Sequence, residues 1–280
     1  MLKYTTIDND KIRVTVETTR PYLYLDTWMW KHLALDTRLR LRFIDTANSV
    51  QATIMYSAVT FLELARIDDS SQITAISEVM NNVDYGLTEN VYKIVLERES
   101  EIQRAGGTIT RHHNPYYDAT LAVYLAKVVN PLTRNNISCI LENLKREGNR
   151  DTLNEMIKPW EIELTHKVGK WRNNPAGLRK AKTFLKSKKV IRSSFPYTQD
   201  IVKYVICFIV ANESMSMPSK EWADVFHLII PVAYFDYVLL DGRWCKFIRN
   251  DLPIDPPDIA TVFNQNDIED FFLSLASFQI

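Results

Sequence analysis

One stretch, Ser216 to Trp244 (SMPSKEWADVFHLIIPVAYFDYVLLDGRW), restricts the fold more than any other because its hydrophobic period changes once, in the middle. It opens with Pro218 and Ser219, a helix-start pair with Glu221 in the first turn, and continues through Trp222, Val225, Phe226 and Ile229 at helical spacing. Tyr237 to Leu240 (YVLL) is then a short, wholly apolar run ended by Asp241 and Gly242. Such a run suits a strand covered on both faces, as in parallel sheets flanked by helices. The expected unit is a helix and a buried strand, with Asp224 inside the helix and Asp241 at the strand's carboxyl end. Sites in open α/β sheets form outside those carboxyl ends. A lone carboxylate in an apolar helix is costly to bury, so Asp224 needs a shared metal ion, a capping role or an arginine partner.

Two earlier segments repeat the pattern. Tyr22 to Leu25 reads as a strand ending at Asp26 and Thr27, with a helix beginning around Trp28 to Leu33; Asp26 and Thr27 also suit a helix N-cap. Residues 53–57 (TIMYS) are apolar and β-prone, and the helical run Val59 to Ile67 carries Glu63 among apolar neighbours, either as a ligand or as a partner for Arg66. Before them, residues 11–18 (KIRVTVET) alternate like an edge strand.

From Asp68 to Tyr204 the pattern is mainly helical and more polar, punctuated by most of the glycines. Gly106 and Gly107 make no phosphate loop, since no strand precedes them and no Gly-Lys-Ser/Thr follows. Arg111, His112, His113 and Asn114 read as a loop. The portion Lys167 to Arg192 contains no acid. Its Lys170, Trp171, Arg172, Arg179, Lys180, Lys182, Lys186, Lys188, Lys189 and Arg192 form a candidate nucleic-acid surface, with Phe184 also interleaved, although a solvated helix face accounts for the same charges. The tail from Asp251 begins proline-rich and ends in an amphipathic helix with Phe271, Phe272, Leu275 and Phe278. That helix is expected to pack on the main domain; a partner subunit or the basic region are the other destinations for it.

The charge balance, 34 basic against 34 acidic residues, leaves only local bias towards polyanions. Cys139, Cys207 and Cys245 form no CxxC pair and do not cluster with the five histidines, which argues against a disulfide framework or zinc site and suits a reducing cytoplasm. The start lacks an apolar signal-peptide core, and the longest apolar run, Ile201 to Ala211, is too short to span a membrane and contains Lys203.

Asp26, Glu63, Asp224 and Asp241 therefore alternate between strand ends and helices. Converging carboxylates hold hard cations such as Mg²⁺ or Mn²⁺, which acidify a bound water and neutralise charge on a reacting phosphodiester. In this order, LYLDTW, YSAVTFLELARI and WADVFHLIIPVAYFDYVLLDGRW resemble the three motif blocks of the PIN domain, the nuclease fold of many bacterial toxin ribonucleases and of RNA-processing nucleases. The match covers about residues 20–67 and 205–250; Leu239 and Leu240 stand where the family usually carries Thr or Ser before its last acid. The resemblance implies an α/β, PIN-like three-layer sandwich on a central parallel sheet. A single domain would be built from about 11–67 and 205–250, with a helical insertion at about 68–204 and a C-terminal extension at 251–280. It implies a cytoplasmic Mg²⁺- or Mn²⁺-dependent ribonuclease with Asp26, Glu63, Asp224 and Asp241 as metal-holding catalytic residues. Thr27 and Asp236 would support them, and His227 would be structural. A non-catalytic RNA- or protein-binding scaffold and a DNA nuclease of defence or repair are the alternatives, and an inhibitory protein or a second copy of the chain are further candidate partners.

Overall fold

Tyr22–Leu25 is buried at every position, and so is Thr53–Tyr56. Successive side chains of a strand point to opposite faces, so unbroken burial means that the sheet is covered on both sides. The structure, a computed structural model, describes residues 2–8, 11–111, 113–128, 138–145, 147–215 and 219–279. Pro218, and with it the expected start signal of the penultimate long helix, and His112 lie outside the described residues.

In chain order, β1 (Leu2–Asp8) and β2 (Lys11–Val16) are followed by β3 (Tyr22–Leu25), α1 (Thr27–Leu35) and α2 (Thr37–Ser49). Next come β4 (Thr53–Tyr56), α3 (Ala58–Leu64), α4 (Ser70–Asn82) and β5 (Asp84–Leu87). A helical stretch then runs through α5 (Tyr92–Arg104), α6 (Ala119–Val128), α7 (Ser138–Leu144), α8 (Glu147–Arg172), α9 (Pro175–Ser187), α10 (Thr198–Ala211) and α11 (Ser219–Tyr234). The chain returns to the sheet with β6 (Tyr237–Leu239), α12 (Gly242–Asp251), β7 (Thr261–Phe263) and α13 (Ile268–Ala276). Five strands form one all-parallel sheet in the order β5-β4-β3-β6-β7. The class is therefore α/β, and the strand carrying Asp26 at its end lies in the middle.

The sheet is wider than the segments 11–67 and 205–250 supply. Both edge strands come from outside them: β5 from the helical stretch and β7 from the tail. Strand β5 (DYGL) contains an Asp and a Gly, residues poor in strands, which is why no strand is legible there. Gly86 is needed for packing, since a Cβ there would lie 2.8 Å from the Met55 sulfur on the neighbouring strand. Residues 11–16 do form a strand, but it pairs antiparallel with β1 in a separate two-stranded sheet. The tail helix α13 packs on the main domain, with Phe271 against Phe43 of α2 and Tyr237 of β6, and with Glu269 bonded to Arg42 at 2.7 Å.

Asp236 fastens the start of β3 to the start of β6. Its carboxylate accepts from the Tyr22 N–H at 2.8 Å and from the Arg20 Nε at 3.1 Å. It lies away from the other four acids and supports the sheet rather than the site. Arg111 fixes the loop before α6 in the same neighbourhood, donating to the Tyr234 carbonyl at 3.2 Å and the Pro257 carbonyl at 2.6 Å. Replacing one partner of a buried ion pair strands the other. Asp236→Ala is therefore expected to lower unfolding free energy by about 3 kcal/mol, measured as a drop in the urea midpoint; an unchanged midpoint would remove this role from Asp236.

Candidate metal centre

Three neighbouring strands deliver the four acids to one end of the sheet. Asp26 directly follows the central strand β3, and its N–H bonds the Leu239 carbonyl of β6 at 3.1 Å. Asp241 follows β6, Glu63 lies on α3 after β4, and Asp224 lies on α11 before β6. Asp26 is near enough to Glu63 and Asp241 for their charges to act on its carboxyl, and Asp224 near enough to Asp26 and Asp241. Asp26, Glu63 and His227 each bring a ligand-type atom within 4.8 Å of the others.

The two strand-end acids have double duties. Asp26 is the N-cap of α1, accepting from the Thr27 N–H at 2.6 Å, and Asp241 is the N-cap of α12, accepting from the Trp244 N–H at 2.8 Å. In each case one carboxylate oxygen, Oδ1, makes this bond. Both helices thus turn their partially positive ends towards the acids, which moderates the repulsion among them.

Glu63 is held differently. Sequence reasoning leaves Arg66 as its candidate ion partner, but its Oε2 instead accepts from the Thr27 hydroxyl and from His227 Nε2, the latter at 2.8 Å. The other ring nitrogen of His227 bonds the Tyr24 hydroxyl, which also lies 3.0 Å from Ser57 Oγ and 3.1 Å from Thr60 Oγ1. This buried chain runs through β3, α3 and α11. With both ring nitrogens engaged, one by Tyr24 and one by Glu63, His227 fixes the direction of the Glu63 carboxylate.

Burial pushes the Asp26 carboxyl up to about 6, with Glu63 and Asp241 adding to the rise against the pull of His227. Burial, Asp26 and Asp241 likewise push Asp224 up to about 7. Glu63, in the same crowd, goes the other way. Burial would raise it, but the charge and hydrogen bond of His227 and the Thr27 hydroxyl bring it below its ordinary value. His227 is the complement: burial would lower it, while Tyr24 and Glu63 raise it well above the usual imidazole range.

Arg243 supplies the arginine partner that the sequence left open for Asp224, and Glu221 and Tyr24, which the sequence did not single out for the site, complete the surroundings. The Arg243 Nη2 lies 2.8 Å from Glu221 and 3.0 Å from Asp224, with Asp241 at 3.8 Å. The signal for Glu221 is its spacing of three residues from Asp224, which puts both on one helix face. Two clefts meet at Glu63 and Arg66. One, of about 380 Å³, lies between α3, α8 and α11 and includes Lys158 and Phe226; the other, of about 390 Å³, includes Thr27, Lys31 and Gln72.

The basic segment divides into two groups. Arg172 caps the end of α10, donating to the Ile209, Asn212 and Met215 carbonyls at 2.7, 2.9 and 2.7 Å. Arg192 turns inward beside Glu99 and Gln199, Lys182 pairs with Glu213, and Lys188 donates to the Asn250 carbonyl. Trp171 and Phe184 pack partly against the core. Lys170, Arg179, Lys180, Lys186 and Lys189 are exposed and make no ion pair among the described residues. Sequence gives no way to tell the two groups apart, because the carbonyls that Arg172 caps come from residues far along the chain. Trp171, Arg179, Lys180 and Phe184 line a cleft of about 640 Å³ with Lys203.

No family model matches the chain, and no curated protein or solved structure matches it either.

Two measurements follow from this geometry. His227→Ala leaves Tyr24 and Glu63 without their shared partner, and unfolding free energy is expected to fall by about 3 kcal/mol in denaturant titration. The raised Asp26 and Asp224 carboxyls bind protons more readily folded than unfolded. They therefore weaken the metal-free fold above pH of about 7, and the cost is relieved as pH falls towards about 4. Glu63, lowered, acts in reverse and loses its contribution only at more acid pH. Melting curves of metal-free protein should show the Asp224→Asn variant gaining on the unmutated chain at pH 8, with that gain shrinking steadily as pH falls to about 4; a pH-independent difference would contradict the crowding.

Proposed function

We propose that the chain is a PIN-like, metal-dependent nuclease that hydrolyses phosphodiester bonds, with RNA as the substrate favoured by the resemblance. The observation carrying this reading is the cluster of Asp26 and Glu63 with His227 at the carboxyl end of a parallel sheet, with Asp224 and Asp241 close enough to act on the charge of Asp26. The donor set fits a hard divalent cation: carboxylate oxygens predominate, and no thiol is among them. Held by Asp26, Glu63, Asp224 and Asp241, Mg²⁺ or Mn²⁺ would supply an acidified water and offset phosphoryl charge.

The remaining contributions belong to the chain's own residues. Thr27 and His227 fix the direction of Glu63, so this ligand is aimed before anything binds. The N-terminal ends of α1 and α12 favour an anionic substrate beside the acids. Helix α8 borders the 380 Å³ cleft at Lys158 and the basic 640 Å³ cleft at Trp171, about 20 Å apart along its axis. The second cleft, lined by Arg179, Lys180 and Lys203 with Trp171 and Phe184, suits the backbone and bases of a single strand.

One observation favours a non-catalytic, nucleic-acid-binding scaffold instead: Arg243 already neutralises Asp224 in the metal-free protein. Cleavage assays separate the two. The nuclease reading expects labelled RNA to be cut in Mn²⁺ or Mg²⁺ and spared in excess EDTA, with Asp26→Asn reducing cleavage at least about a hundredfold while RNA binding persists. Binding without cleavage of any RNA or DNA by the unmutated chain would establish the scaffold, and cutting of DNA alone would shift the substrate.

A further inference from the structure

Arg243 stands among three carboxylates, Glu221, Asp224 and Asp241, beside the Asp26 and Glu63 cluster. Its Nη2 reaches Glu221 at 2.8 Å, Asp224 at 3.0 Å and Asp241 at 3.8 Å. The contacts to Asp224 and Asp241 use their Oδ2 atoms, and Asp241 already spends Oδ1 on the α12 cap. An ion on this side would need the same oxygens. Arg243 is also held by its position, one residue into α12 and only two beyond Asp241, with its guanidinium carbon 5.3 Å from the centroid of the buried Trp244 ring.

We propose, resting on the nuclease reading above and narrowing its ligand set from four acids to two, that Arg243 takes the place of a second cation: one divalent ion is held on the Asp26–Glu63 side, and the guanidinium serves the Asp224–Asp241 side. Two features suit it to meet a phosphate. Its side chain is 38% exposed, and no hydrogen bond among the described residues uses its Nη1 or Nε. A planar fork with free donors matches phosphoryl oxygens, and it keeps its charge at any working pH. The carboxylates around Arg243 orient it, and no second metal is required to balance them.

The test counts Mn²⁺ bound to the full chain at equilibrium, by dialysis with metal analysis and by the electron paramagnetic resonance of free Mn²⁺. The unmutated chain and Arg243→Lys are expected to bind one ion, Arg243→Met two, and Asp26→Asn none at the concentrations that saturate the unmutated chain. Circular dichroism melts identify any variant that has failed to fold, and Arg243→Gln replaces Arg243→Met if that one has. Two ions on the unmutated chain, or a single ion of unchanged affinity on Arg243→Met, would overturn the assignment while leaving the nuclease reading intact. No ion on the unmutated chain or on either neutral variant would remove both.

Discussion

The link that the site depends on is the buried chain from Tyr24 through His227 to Glu63. It joins the central strand to two helices distant in sequence: Tyr24 comes from β3, His227 from α11 and Glu63 from α3. Glu63 and Tyr24 raise the buried His227 imidazole above its ordinary range, and the imidazole in turn lowers Glu63 against the burial that would raise it. Each partner makes the other's charge affordable. The consequence is directional: Glu63 differs from the crowded Asp26 and Asp224, which bind protons more readily than a free carboxyl.

A second economy concerns helix starts. Asp26 and Asp241 terminate neighbouring strands and cap the helices that follow, so the turn that ends each strand also fixes a carboxylate. In a parallel sheet this happens at the same end every time, because each strand leaves the core in the same direction. The local sequence is then enough to aim these two acids. Asp224 and Glu63 lie inside helices and need tertiary partners, Arg243 for one and His227 with Thr27 for the other.

That difference explains what was legible. Strands β3, β4 and β6, the helices after them and the four acids could be read, since buried strands ending in Asp and apolar helices carrying one acid are local patterns. The edge strands could not: β5 is four residues long with Asp and Gly, and β7 is three residues beyond a proline-rich stretch. Arg243 could not be assigned either, since a basic residue after Asp241 looks like any solvated side chain until Glu221 and Asp224 are brought over it. For the same reason Arg172 looked like part of a basic surface, although its guanidinium closes the end of α10. Charge runs report composition; only packing reports which charges are already spent.

The order of the strands also bears on synthesis. Strands β3, β4 and β5 lie within the first 87 residues, whereas β6 starts at Tyr237 and β7 at Thr261. A nascent chain emerging from the ribosome can pair half of the sheet early, but Asp224, His227 and Asp241 arrive about 150 residues later. Glu63 lacks its imidazole and Asp26 its neighbouring strand until then. The site is thus assembled by the return of the chain to the sheet, and its outward half alone holds carboxylates that nothing yet aims.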